Sequence, residues 1–149
     1  MNQFQIVRTI AASPEAVFAL LTDVEKTPLW SPAISEATIT SPGPLAEGST
    51  ITYVGRFLGR RFTSTSAVTE IRPPIRYAAK STSGPFDLTI SNALEKDDDG
   101  TRLVSDFAGD SRGFFKLAES VVVRASKRLF EANMDLLKEL LEAGEEIPT

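Results

Sequence analysis

Two tyrosines, scattered carboxylates and a cluster of arginines are the groups in this 149-residue chain with chemistry to offer. Tyr53 and Tyr77 fall in stretches that read as strands. There a phenol either points into a cavity or packs as an ordinary strand aromatic. An unperturbed phenol titrates near pH ~10, so it donates a hydrogen bond long before it acts as an acid. Asp87 and Asp106 would form an acid/base pair only if their environments split their pKa values. Both take the strand parity opposite the apolar residues, which favours solvent. Arg56, Arg60 and Arg61 surround Gly59; they either grip a carboxylate or phosphate or are simply solvated. Arg8 shares its parity with Phe4, Ile6 and Ile10. Facing inward it needs a carboxylate, with Asp106 and Glu70 as choices, or else it contacts a ligand. Asn92 is the polar member of an apolar face and is a candidate for cavity lining. Trp30, the only tryptophan, either walls a pocket and offers its N–H or pins short helices to a sheet. The run Asp97-Asp98-Asp99 lacks the ligand spacing and distal glutamate of a calcium loop and reads as a solvated turn.

Absences constrain the chemistry further. The chain has no histidine and no cysteine. Thiolate nucleophiles, disulfides, Cys or His metal sites and Ser-His-Asp triads are excluded. What is left is carboxylate, lysine, tyrosine or hydroxyl chemistry, oxygen-ligated metals, or binding without a reaction. No motif points to a metal or a cofactor, and neither is expected. Lys and Arg total 16 against 20 Asp and Glu, a formal net charge of -4. That balance argues against a general nucleic-acid binder. No apolar run approaches the ~18 residues of a transmembrane helix. Residues 1–5 have neither a basic region nor a long apolar run, so no secretory leader is expected and the cytoplasm is the default location. A single domain over residues 1–149 suits the length. A homodimer is compatible with the sequence but nothing in its pattern requires one.

The elements that must position these groups follow from periodicity and punctuation. Residues 4–10 alternate as a strand. Ser13-Pro14 supplies an N-cap and a first helical residue. Asp23 can cap a second short helix, kept short by Pro28 and Pro32. Six further strands are predicted over 34–41, 50–57, 61–72, 75–81, 86–96 and 101–108, with Asp99-Gly100 as a hairpin turn. Residues 114–143 repeat apolar side chains three and four apart, which predicts a helix about 45 Å long. Gly144 ends it, and residues 144–149 are expected to be a frayed tail. Hairpin-linked strands form an antiparallel sheet with one apolar face, and the long helix can cover that face.

This order resembles the helix-grip fold of the START-like, or Bet v 1-like (SRPBCC), superfamily, and within it the polyketide cyclase/dehydrase-like group. The local marks are Ile10 to Phe18, Leu21-Thr22-Asp23, Trp30-Ser31-Pro32, Gly48-Ser49, Glu70 to Pro74 with Tyr77, and Gly100 to Leu103. The resemblance implies an α+β domain: a curved seven-stranded antiparallel sheet wrapped around a long C-terminal helix, with two short helices between strands one and two. It also implies a hydrophobic cavity between sheet and helix. Such proteins include lipid, sterol and hormone carriers as well as polyketide aromatases and cyclases. No set of cyclase catalytic residues can be matched onto this sequence. The expected cavity candidates are Trp30, Tyr53, Tyr77, Asn92 and Arg8, with Leu117, Val121 and Ala125 from the helix. The expected partner is a small hydrophobic or amphipathic molecule, held by a carrier or sensor. The alternatives are a cyclase, aromatase or dehydratase working through Tyr, Asp or Arg, and a protein-interaction module.

Overall fold

In a computed structural model, which describes residues 2–144, seven antiparallel strands form one sheet. The strands are β1 (Asn2–Ile10), β2 (Ile34–Ile39), β3 (Thr50–Phe57), β4 (Arg60–Arg72), β5 (Arg76–Ser83), β6 (Asp87–Asp97) and β7 (Gly100–Asp110). Their spatial order is β1-β7-β6-β5-β4-β3-β2, so every neighbour except the β1–β7 pair is also a neighbour in sequence. Register shifts at Thr65/Ser66 and Val68/Glu70 on β4 and at Ile34/Glu36 on β2 mark bulges, which bend and twist a sheet. The expected frayed tail lies outside the described residues beyond Gly144.

Between β1 and β2 stand α1 (Pro14–Leu21), a single 3₁₀ turn (Val24–Lys26) and α2 (Thr27–Trp30). Ser13 caps α1 as expected, its Oγ accepting the Ala16 N–H at 3.2 Å. Asp23 does not cap the next turn. It forms an ion pair with Lys26 at 3.3 Å instead. The hairpin between β6 and β7 depends on Gly100, whose φ is 143°. A Cβ there would meet the Ile10 carbonyl oxygen at 2.2 Å, so only glycine allows β1 to end against this turn.

The long helix, α3, runs over Glu119–Glu142 and starts five residues later than the periodicity predicts. Residues 111–118 turn instead, with Arg112, Gly113 and Lys116 at φ of 51°, 70° and 57°. Phe114 and Phe115 leave the helical pattern because an aromatic cluster claims them. Phe115 packs edge-on to Phe57 and stacked with Phe86, at 5.5 and 6.1 Å between centroids. Ser111 Oγ donates to Glu119 Oε2 at 2.6 Å and fixes the point at which the helix starts.

α3 leans on β1 and α2 and stands away from the central strands. Phe130 stacks on Phe107 at 4.3 Å, and Phe4 closes the group. Ile6, Ile10, Val17, Leu103, Met134 and Leu137 complete a core beneath the second half of the helix. Arg8 reaches this helix from β1 and pairs with Asp135 at 2.5 Å. The partner is neither Asp106, which accepts from Gln5, nor Glu70, which pairs with Arg76. Arg8 therefore ties the sheet to α3 at a solvated edge. No helix among the described residues is long and apolar enough to cross a membrane.

Candidate functional site

Where α3 departs from the sheet, a chamber of about 250 Å³ opens between them. Strand alternation decides which side chains reach it. Tyr53 on β3, Tyr77 on β5 and Ile90 and Asn92 on β6 all project to this side. From the helices come Trp30 and Ser31 on α2 and its cap, and Val122, Ser126, Phe130 and Asn133 on α3. Phe57, Phe62, Phe86 and Phe115 form an aromatic wall beside the loop that leads into α3. The wall is mostly apolar, interrupted by neutral amides and hydroxyls and, where β6 begins, β7 ends and α3 begins, by Asp87, Asp110 and Glu119.

Trp30, Tyr53, Tyr77 and Asn92 all line this chamber. Leu117, Val121 and Ala125 do not. Leu117 is 46% exposed and Val121 is 42% exposed, and none of the three lines the chamber. Val121 and Ala125 each precede an inward-facing residue, Val122 or Ser126, by one position. One position on an α-helix is a rotation of about 100°, enough to turn a side chain from wall to solvent. Arg8 is also absent from the lining. Of the arginines around Gly59, Arg60 lies 4.5 Å from the Phe114 ring centre and donates to the Phe114 carbonyl at 2.8 Å. It clamps the loop before α3.

The polar groups differ in how fully they are used. Asn92 Nδ2 donates to the Tyr77 carbonyl at 3.2 Å, and its Oδ1 accepts from Ser105 Oγ at 2.7 Å. These partners sit directly opposite Asn92 in the two flanking strands, so the register itself gives both amide atoms a partner. Asn133 Nδ2 donates to Ser31 Oγ at 3.0 Å, but Asn133 Oδ1 has no partner. The Trp30 Nε1–H is likewise buried and unpaired. Burial pushes the Tyr53 phenol up to about 12. Tyr77 is raised too, by burial first and by the nearby Tyr53 second. Both are therefore neutral hydrogen-bond donors near pH 7. Asn133, Ser31 and Ser126 escaped notice because a count of apolar repeats skips polar residues. The signal was present for Asn133, which lies three and four positions after Phe130 and Leu129 on the stripe, as Asn92 lies among apolar neighbours on its strand.

A family model described as polyketide cyclase / dehydrase and lipid transport matches residues 1–142. The chain belongs to that family. It has the START/Bet v 1-like (SRPBCC) architecture, and solved structures agree in fold. A START superfamily protein from Mycobacterium smegmatis is 17% identical, with 95% of this chain and 97% of that one covered at a TM-score of 0.81. The protein TTHA0849 from Thermus thermophilus is 18% identical, with coverage of 97% and 100% and a TM-score of 0.82. The Zhui aromatase/cyclase from Streptomyces sp. R1128 is 17% identical, with coverage of 97% and 99% and a TM-score of 0.76. No curated protein matches the sequence. The sheet-to-helix cavity that membership in this polyketide cyclase and lipid transport family implies is the chamber described above, and its chemistry suits a small hydrophobic or amphipathic ligand.

Proposed function

We propose that this protein is a carrier or sensor, acting as one domain in the cytoplasm, that holds a small apolar or amphipathic molecule between the sheet and α3. The observation that carries this reading is the composition of the chamber wall. Aromatic and aliphatic side chains make up most of it; amides, hydroxyls and one indole interrupt them, and its three carboxylates, Asp87, Asp110 and Glu119, are gathered where β6 begins, β7 ends and α3 begins. Such a surface gains free energy by excluding water and uses a few polar atoms to orient its guest. General acid–base catalysis needs a group that exchanges a proton at working pH. Tyr53 and Tyr77 move away from that range, which supports binding over acid/base chemistry. Nucleic acid is not among the proposed partners.

Native mass spectrometry of gently purified protein tests the proposal. The expected spectrum holds a one-to-one complex with a small molecule that organic solvent releases. The same spectra report whether two copies associate. If the protein is always empty and takes up no apolar molecule from a cell extract, the carrier reading is wrong.

A further inference from the structure

Two atoms in the chamber wall are buried and unused: the Trp30 Nε1–H, a donor, and Asn133 Oδ1, an acceptor. Both residues line the chamber where α2 meets α3. Ser31 follows Trp30 in the chain, and its Oγ holds Asn133 Nδ2 at 3.0 Å. Neighbouring polar groups are already engaged, with Thr27 Oγ1 donating to the Val24 carbonyl at 2.6 Å and both amide atoms of Asn92 bonded within the sheet. A buried donor or acceptor without a partner has given up its hydration and received nothing in return, and folded proteins keep few such groups. Here a donor and an acceptor occur together, on residues that line the same cavity.

Charge narrows the choice of guest. Among the described residues, no Lys or Arg lines the chamber. The acidic residues on its wall are Asp87, Asp110 and Glu119. Glu119 and Asn133 are 14 positions apart on α3, so about 21 Å of helix separates that acid from this corner. Glu119 is already occupied by Ser111 Oγ at 2.6 Å and Asn2 Nδ2 at 3.2 Å. A carboxylate placed at the corner would find no cation and would oppose the Asn133 oxygen. A pure hydrocarbon would leave both wall atoms unpaired. A hydroxyl group accepts and donates at once.

We propose that the chamber selects a neutral, hydroxyl-bearing apolar molecule, with the hydroxyl oxygen accepting from Trp30 Nε1 and its proton donated to Asn133 Oδ1. The apolar body then extends toward Phe86 and Phe115. This rests on the carrier reading and specifies the class of its ligand.

Isothermal calorimetry on the full chain with three probes built on an eight-carbon chain tests it. The probes are 1-octanol, 1-methoxyoctane, which accepts but cannot donate, and octanoate. The expected order places 1-octanol about tenfold or more tighter than either of the others. In Asn133→Leu the preference for alcohol over ether should shrink to within about twofold. In Trp30→Phe both alcohol and ether should weaken together. Equal affinity of all three probes for the unmodified chain overturns the hydroxyl assignment and leaves the carrier reading standing. Binding of none of them overturns both. The comparison on the unmodified chain decides the matter even if a variant folds poorly.

Discussion

Asn92 and Asn133 line the same chamber, one from the sheet and one from the helix. Both are almost completely buried. Both amide atoms of Asn92 have a partner because those partners are the residues opposite it in β5 and β7. The amide of Asn133 is only half used because α3 stands away from the sheet, and its oxygen meets no donor. Identical side chains thus do different work. In the ladder, an asparagine locks strands together. On a helix that leaves the sheet, it keeps an acceptor free. A polar residue on an inward face indicates a ligand site only when the surrounding backbone fails to satisfy it.

The largest expected effect belongs to the sheet. Asn92→Leu removes two hydrogen bonds and leaves the Ser105 hydroxyl buried beside Met134, so urea denaturation should show a loss of about 2–4 kcal/mol. A loss well under 1 kcal/mol would erase the distinction between the two asparagines. Asn133→Leu should behave in the opposite way. It removes an orphaned oxygen along with one hydrogen bond, so stability should change by less than about 1 kcal/mol while 1-octanol affinity falls about tenfold. A stability cost equal to that of Asn92→Leu would make Asn133 a structural residue. Trp30→Phe keeps most of the ring and deletes the N–H. Its expected signature is a roughly fivefold weaker complex with stability within about 1 kcal/mol.

The smallest effect concerns pH. The folded-state pKa of Tyr53 is raised to about 12 from its ordinary value of 10.0, and that of Tyr77 is also raised. Their contribution to stability is fully present below the unfolded value. It falls as pH climbs from 10.0 through about 12, because the unfolded chain gives up these protons first. Stability and 1-octanol affinity should therefore show no dependence on these phenols between pH ~6 and ~9. Absorbance of the phenolate near ~295 nm should rise only together with unfolding, and Tyr53→Phe should soften the alkaline decline.

Much of this arrangement was legible in the chain. Alternation of Phe4, Ile6 and Ile10 marked β1, Ser13-Pro14 marked the start of α1, and Asp99-Gly100 marked the β6–β7 turn. These signals are local, and local sterics enforce them. The same alternation puts Asn92 on one face with Ile90, and both line the chamber together with Tyr53 and Tyr77. The helix was harder. Leu117 and Val121 fit an apolar repeat yet face solvent, whereas Ser126 and Asn133 break the repeat yet line the wall. A helix that covers a fully packed core buries its most apolar stripe, but one that roofs a chamber can turn polar residues inward. The loop before α3 was missed for a related reason. Phe114 and Phe115 continue the helical spacing, but their contacts with Phe86 are long-range and leave no local trace. Arg8 found its carboxylate on α3 for the same reason: only the fold brings Asp135 to β1.

The sole tryptophan provides the most direct test of the central claim that the chamber is a binding site. Trp30 emission should change saturably, with one-to-one stoichiometry, as 1-octanol is added to the unmodified chain. Ser126→Phe places a ring in the chamber from α3 and should abolish that response while the protein stays folded by circular dichroism. A saturable response of equal size in Ser126→Phe, or only a linear drift in the unmodified chain, would contradict the account.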